Sequence, residues 1–297
     1  MYIDRLDSNR LTIKAPAKLN LFLEVLNKRP DGFHNINSLF QAVSLFDQLT
    51  FTVSDKPGVT IELVAKADLT VGEDNLISRA YTIMRDEFDL SRGLHVRLDK
   101  HIPIAAGLGG GSADGAATLL ACNTLFDLGL TQDQISQLAL KIGSDLPFFF
   151  SAGQAMIGGR GEKVKTTHLP TDYHLVLVKP ALEVSTAEAY ALLKRDLTKP
   201  NDQYTLPPCR DVKSLVEALR LTGNDFEDVL GAFCPELGQI RDMLLNAGAV
   251  LARLSGSGPT VFGLFEGAPE TGQKVKLNGG NWQLFAVKPI TWPDRVV

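Results

Sequence analysis

The sequence predicts an α+β protein built as two lobes. Three observations carry that reading. The chain has 297 residues, enough for one large domain or two modest ones at about 100–200 residues each. Its first half alternates short strands with helices. Its second half runs strand, helices, two strands, helix, strand, an order close to a split βαβ sandwich. The change of character falls near residue 168.

The elements follow in chain order. Leu19, Leu21, Leu23 and Val25 alternate with Asn20, Phe22, Glu24 and Leu26, so a strand is expected there with the leucines on one face. Lys18 and Asn20 then share the other face. Arg29-Pro30-Asp31-Gly32 makes a tight turn: Pro fixes φ, and Asp and Gly tolerate unusual angles. A strand is expected at Val59 to Ala65. Leu76, Ile77, Ala80, Tyr81, Ile83 and Met84 recur at helical spacing, with Asp74 as the cap. Leu94, Val96 and Leu98 alternate as a strand. A glycine-rich loop leads into a helix from Ser112 to about Leu128. Thr131 opens another, with Gln134 completing a capping box, and it ends near Gly143.

In the second half, Tyr173 to Lys179 reads as a strand. Ser185-Thr186-Ala187-Glu188 is a capping box opening a helix through about Arg195. Lys199 to Arg210 is polar and proline-bearing, a surface excursion. Helices are expected near 211–220 and 236–246. Strands are expected at Val250 to Leu254, Thr260 to Phe265 and Gln283 to Lys288, with a helix between the last two.

Composition narrows the function classes. Lys plus Arg number 30 against 34 Asp plus Glu, a net charge of −4. A nonspecific nucleic-acid coat needs a basic surface, so that class is excluded, whereas a small anion needs only a few local donors. Hydrophobic residues at 44% and charged residues at 22% place the chain among globular proteins rather than disordered ones. Cys122, Cys209 and Cys234 are far apart and form no C-x-x-C. Reduced thiols of a cytoplasmic protein are expected, not a disulfide framework or zinc site. Met1 to Arg10 lacks the apolar core of a signal peptide. No apolar run approaches the ~20 residues of a membrane helix. Monomer and homodimer both stay open.

Four segments carry chemistry. The strongest is Pro103-Ile104-Ala105-Ala106-Gly107-Leu108-Gly109-Gly110-Gly111-Ser112-Ala113-Asp114, between a strand and a helix. Its glycines lack the Cβ atoms that would hold a ligand off the backbone. The helix behind it turns free N–H groups and a positive dipole end the same way. This is an anion site, and a nucleotide phosphate is the anion an enzyme of this size would hold there. It is not a Walker A loop, which needs G-x-x-x-x-G-K-[ST], nor a G-x-G-x-x-G fingerprint, and no H-R-D or D-F-G is present. The second segment is Ala15-Pro16-Ala17-Lys18-Leu19-Asn20. The third is Gly143-Ser144-Asp145-Leu146-Pro147-Phe148-Phe149-Phe150, where a carboxylate against apolar walls can serve as a base. The fourth is Leu254-Ser255-Gly256-Ser257-Gly258-Pro259-Thr260. It is not G-x-S-x-G, so Ser257 is a poor nucleophile. Taken singly, Lys18 reads as a solvated edge lysine, Asp145 as a turn cap, and the last segment as a hairpin loop.

In chain order, P-A-K-L-N (Pro16 to Asn20), P-x-x-x-G-L-G-G-G-S-A (Pro103 to Ala113) and S-G-S-G-P-T (Ser255 to Thr260) resemble the three motifs of the GHMP small-molecule kinases. The runs Arg29-Pro30-Asp31-Gly32-Phe33-His34 and Gly159-Arg160-Gly161-Glu162 fit the branch that phosphorylates a cytidine-diphosphate-linked methylerythritol. The resemblance spans roughly residues 11 to 265. It implies a lobe like the ribosomal S5 second domain, then a ferredoxin-like α/β sandwich lobe, with the site in the cleft. The ATP-binding and catalytic lobe would be 1–168 and the substrate-side lobe 169–297. ATP, with Mg²⁺, would phosphorylate the acceptor's 2-hydroxyl on the non-mevalonate route to isoprenoids. Asp145 would accept the hydroxyl proton, and Lys18 would keep Asp145 ionised and stabilise the reacting oxygens. Asn20 would orient the acceptor, and Pro103 to Ala113 would bind ATP, with Ser112 as an Mg²⁺ contact. Phe33, His34 and Tyr190 would grip the cytosine.

Two residues depart from that pattern. Phe33 stands where Tyr is usual and loses a phenol hydrogen bond. Gly115 stands where Ala is usual, and Gly inside a helix costs ~1 kcal/mol against Ala. The alternatives are a GHMP kinase for homoserine, mevalonate or a sugar, and a nucleotide sensor that kept the fold without the chemistry. The cytosine-gripping residues argue against the first, and an intact Lys18 and Asp145 against the second.

Overall fold

The computed structural model describes residues 1–64, 72–193, 204–268 and 281–292. The first sheet comprises β1 (Tyr2–Asp7), β2 (Arg10–Lys28), β3 (His34–Ser54), β4 (Val59–Leu63), β5 (Gly93–Asp99), β6 (Gln154–Gly159) and β7 (Lys163–Thr166). Its order is β1-β2-β3-β5-β4, with β6 paired to β3 and β7 to β6. Three α-helices, α1 (Leu76–Phe88), α2 (Gly110–Leu125) and α3 (Gln132–Ile142), pack with a short 3-10 helix at Leu146–Phe150 against it through one apolar core.

The second sheet comprises β8 (His174–Lys179), β9 (Leu251–Leu254), β10 (Val261–Phe265) and β11 (Gln283–Val287). Its order β11-β8-β10-β9 places the fourth strand beside the first and the third beside the second, and all three pairings are antiparallel. This is the split βαβ order expected from the sequence. Helices α4 (Thr186–Leu192), α5 (Val212–Arg220), α6 (Glu227–Phe233) and α7 (Glu236–Asn246) precede β9. The expected helix between β10 and β11, and the expected end of α4 at Arg195, lie outside the described residues. So does the start of the Lys199 to Arg210 excursion, whose remainder is irregular chain.

No strand bridges residues 167–173, yet the two halves share cores. Leu19, Leu21 and Phe22 of β2 pack in one cluster with Leu177, Leu219 and Phe262. Burial on both faces explains two surprises. The first half of β3 gives no alternation because Ile36 through Val43 are all buried, so that part carries no period-two signal, whereas Leu49, Phe51 and Val53 do alternate with Thr50, Thr52 and Ser54. β2 carries a bulge, with Asn20 opposite Phe40 but Phe22 opposite Leu39. One extra residue reverses the faces beyond it. Leu23 therefore leaves Leu19 and Leu21, with which its spacing grouped it, and joins the side of Lys18 and Asn20.

Local signals hold with small corrections. Thr131 and Ser185 form the expected capping boxes. The cap of α1 is Asn75, whose Oδ1 accepts the Ile77 N–H at 2.9 Å, rather than Asp74. α2 starts at Gly110 rather than Ser112, so Gly110 and Gly111 belong to its first turn. The sequence does not signal α6 (Glu227–Phe233), which is as short as α4 but lacks a side-chain cap at its start. Cys122, Cys209 and Cys234 are free thiols. Among the described residues no helix is long and apolar enough to cross a membrane.

Candidate active site

Lys18 and Asn20 leave β2 on the same side, as their spacing requires, but they are buried rather than solvated. Lys18 Nζ donates to Asn20 Oδ1 at 2.6 Å and lies 4.4 Å from the centre of the Phe40 ring. It pairs with Asp145 Oδ2 at 3.2 Å, with the lysine side chain 5% exposed and the carboxylate 31%. Asp145 caps no helix with its side chain; it faces the lysine. The Asn20 amide is fixed in turn by Nδ2 donating to Ser38 Oγ at 3.0 Å. The ammonium is thus held by two oxygens and an aromatic face while its partner carboxylate keeps access to solvent.

The glycine segment lies directly on this pair. The Lys18 N–H donates to Leu108 O at 2.9 Å. Gly109 sits at φ +68, and a Cβ there would stand 2.8 Å from Lys18 Cγ. Gly109 also caps α2 without a side chain, so the first-turn N–H groups stay available to an anion. The Ser255–Gly258 loop closes from the other lobe. Ser255 Oγ accepts the Asn20 N–H at 3.3 Å and donates to Gly107 O at 3.1 Å. Here backbone meets backbone: a Cβ on Gly107 would collide with Ser255 O, and one on Gly258 would lie 2.5 Å from Gly107 N.

Lys18, Asn20, Asp145 and the glycine turn line a cavity of about 540 Å³, within the usual range for a ligand pocket. Pro103 through Ser112 line it continuously, whereas Ala113 turns into the core. Tyr190 lines it too. His34 reaches the site through Tyr190, their rings stacked 5.0 Å apart at 19°. Phe33 stands outside, 50% exposed, with the Arg160 guanidinium 5.0 Å from its centroid. Burial, then the charge of Asp145, pushes the Tyr190 phenol up. Burial, then the charge of Lys28, holds His34 below its ordinary 6.5. Gly115 faces Leu76 and Leu146, both within 3.3 Å of where its Cβ would be, so Gly lets α2 lie close to them.

Sequence reading missed two polar assemblies. Lys100 Nζ bonds Asp47 Oδ2 at 2.5 Å and Asp114 Oδ2 at 2.6 Å beneath the glycine helix. Burial alone would lower Lys100, but the carboxylates of Asp114 and Asp47 outweigh it and hold its pKa up. Burial pushes the Asp114 carboxyl up against the pull of Lys100. Asn224 donates from Nδ2 to Leu254 O and Gly256 O, both at 2.9 Å, and so ties the Ser255–Gly258 loop down. Its neighbour Phe226 meets Tyr190 edge-on at 5.0 Å. The one local hint was Gly223-Asn224-Asp225, a turn signal.

Among the described residues, no group of three or more His, Cys, Asp and Glu could hold a metal. Mg²⁺ takes as few as one or two protein oxygens beside phosphates and water. Ser112 and Asp145 both open onto the cavity, and Asp114 Oδ1 is buried on its wall without a hydrogen bond.

The family model for the GHMP kinases N terminal domain matches residues 75–153, and that for the GHMP kinases C terminal matches 191–276. A 4-diphosphocytidyl-2-C-methyl-D-erythritol kinase of a Geobacillus species is 39% identical over 291 residues, covering 94% of this chain and 96% of its own. One of Pelotomaculum thermopropionicum is 40% identical, covering 86% and 88%. The chain belongs to the 4-diphosphocytidyl-2-C-methyl-D-erythritol kinase family, a branch of the GHMP kinases. A crystal structure of a kinase of this name superposes with a TM-score of 0.71 at 30% identity, covering 93% of this chain and 99% of that one. The homoserine kinase of Cytophaga hutchinsonii superposes at 0.69 with 18% identity, a likeness of fold. The two-lobed GHMP fold, and a phosphotransferase as its bearer, are as the motifs implied.

Proposed function

We propose that the chain transfers the γ-phosphoryl group of ATP to the 2-hydroxyl of 4-diphosphocytidyl-2-C-methyl-D-erythritol, on the non-mevalonate route to isoprenoid precursors. One observation carries the reading: Lys18 and Asp145 pair at 3.2 Å against the glycine turn of α2, inside a cavity that Tyr190 also lines. Asp145 accepts the proton of the acceptor hydroxyl. Lys18 holds that carboxylate in place and offsets charge building on the transferred oxygens. Asn20 fixes Lys18 and orients the acceptor. Pro103 to Ser112 wrap the triphosphate, with backbone N–H groups of the glycine turn as the donors; Ala113 supports them from behind. Phe33, His34 and Tyr190 take the cytosine. Ser112 and Asp145 would hold Mg²⁺, which neutralises phosphate charge when bound.

We place the division of labour at 1–168 for ATP and catalysis and 169–297 for the substrate side, since no strand spans that boundary. A net charge of −4 supports a small-molecule partner over nucleic acid, and a cytoplasmic setting fits three free thiols. The direct test is ADP release from Mg-ATP on adding the acceptor, against an acceptor-free blank. Acceptor-dependent release is expected; none from folded, ATP-binding protein would refute the assignment.

A further inference from the structure

Two turns interlock at the acceptor end. Arg29–Gly32 joins β2 to β3 and delivers Phe33 and His34. Gly159–Glu162 joins β6 to β7. Glu162 serves both. Its Oε1 pairs with Arg29 Nη1 at 3.3 Å, and its Oε2 accepts the Arg160 N–H at 2.5 Å. Arg29 Nε donates to Asp31 Oδ2 at 3.0 Å, and Asp31 Oδ1 accepts the Phe33 N–H at 3.2 Å. The Arg29 N–H donates to Phe33 O at 2.7 Å. Arg160 then returns over the Phe33 ring, so the circuit closes on the one exposed aromatic of the acceptor end.

The far side of the second turn touches the catalytic carboxylate's neighbour. Gly161 sits at φ +131, where a Cβ would lie 2.5 Å from Ser144 O. One turn thus abuts both the segment bearing Asp145 and the ring of Phe33. An exposed ring that must stack a base gains from being held in one orientation, because catalysis depends on fixing the two ends of the acceptor in register.

We infer that Glu162 is a positioning residue for the acceptor: by holding Arg29 and Arg160 it sets the Phe33 platform at a fixed place relative to Asp145. The inference rests on the reading of Phe33 as a base platform. Neither Glu162 nor Arg29 need touch the substrate for this.

The test is steady-state kinetics on the full chain, varying acceptor and ATP separately, with thermal midpoints measured alongside. Glu162→Ala should raise the acceptor KM by about tenfold and leave kcat and the ATP KM within about twofold. Glu162→Gln keeps an oxygen for the Arg160 N–H and loses the charge opposite Arg29, so its rise should be smaller. Because the two side chains act as one unit, Arg29→Ala/Glu162→Ala should cost no more than the worse single change. Single effects that multiply in the double variant would overturn the inference. So would a fall in kcat and ATP affinity that tracks the thermal midpoint, the mark of a merely structural role. Phe33→Ala separates the layers. If it raises the acceptor KM and Glu162→Ala does not, the clamp fails and the platform stands. If Phe33→Ala changes nothing in an active enzyme, the platform fails and the clamp with it. A wild type that never turns over the acceptor refutes the kinase reading itself.

Discussion

At the phosphate end of the cavity Lys18, Asn20 and the glycine turn are packed by backbone and by each other, and Asp145 is already 3.2 Å from its cation. At the base end Phe33 is half exposed and His34 rests on Tyr190. A base that stacks on that face of Tyr190 must displace His34, because a ring between two others needs about 7 Å, twice a contact of ~3.5 Å, and these centroids are 5.0 Å apart. On the proposed reading, the chemistry is built in advance, while recognition is completed on binding. Electrostatic stabilisation tolerates no reorganisation at the moment of reaction; stacking on an adjustable ring does.

That contrast can be broken most sharply at Asp145. Asp145→Asn should lower kcat by about 10²–10⁴-fold, the range for losing a general base, while ATP binding measured by calorimetry is kept. Loss of binding instead would mean the carboxylate builds the site rather than works in it. Gly109→Ala comes next. Its Cβ meets the Lys18 stem at 2.8 Å, and a displacement near 1 Å can cost about 10²-fold in rate. The effect should appear in kcat with the acceptor KM little changed. Tyr190→Ala tests the other end, where a stacking contact worth ~1–3 kcal/mol converts to about a 5–150-fold rise in acceptor KM, with kcat at saturation largely kept. Equal losses in kcat from Gly109→Ala and Tyr190→Ala would erase the distinction between the two ends.

The smallest effect concerns pH. His34 titrates below its ordinary 6.5 because burial and Lys28 disfavour its charged form. A depressed folded pKa contributes stability above 6.5 that is lost as pH falls through the folded value. The thermal midpoint of the wild type should therefore drop slightly more than that of His34→Gln between pH 7.5 and 5.5. Equal drops would show that the His34 contact adds nothing to the closed base end.

Legibility in the sequence followed how local each cause is. The capping boxes at Thr131 and Ser185 were readable because each depends on a few neighbouring residues, and the succession of strands and helices along the second half was readable from local periodicity. Lys18, Asp145 and the glycine turn were readable as motifs. The first half of β3 was not, since burial on both faces over Ile36 through Val43 removed its alternation. The bulge that moves Leu23 to the cavity leaves no mark in the spacing of the leucines. Lys100 finds Asp47 across 53 positions, and Asn224 reaches Gly256 across 32. Pairings at that range exist only once the chain is folded.

The contact between the two glycine loops has an evolutionary consequence. At most crowded positions a larger residue can be accommodated by shrinking whichever side chain it strikes. At Gly107 and Gly258 the obstructing atoms are main-chain atoms of the opposite loop, which every amino acid carries. No second-site substitution at the struck residue can relieve the clash. The two loops, 151 positions apart along the chain (Gly107 to Gly258), are bound into a single heritable unit that drift cannot take apart one residue at a time.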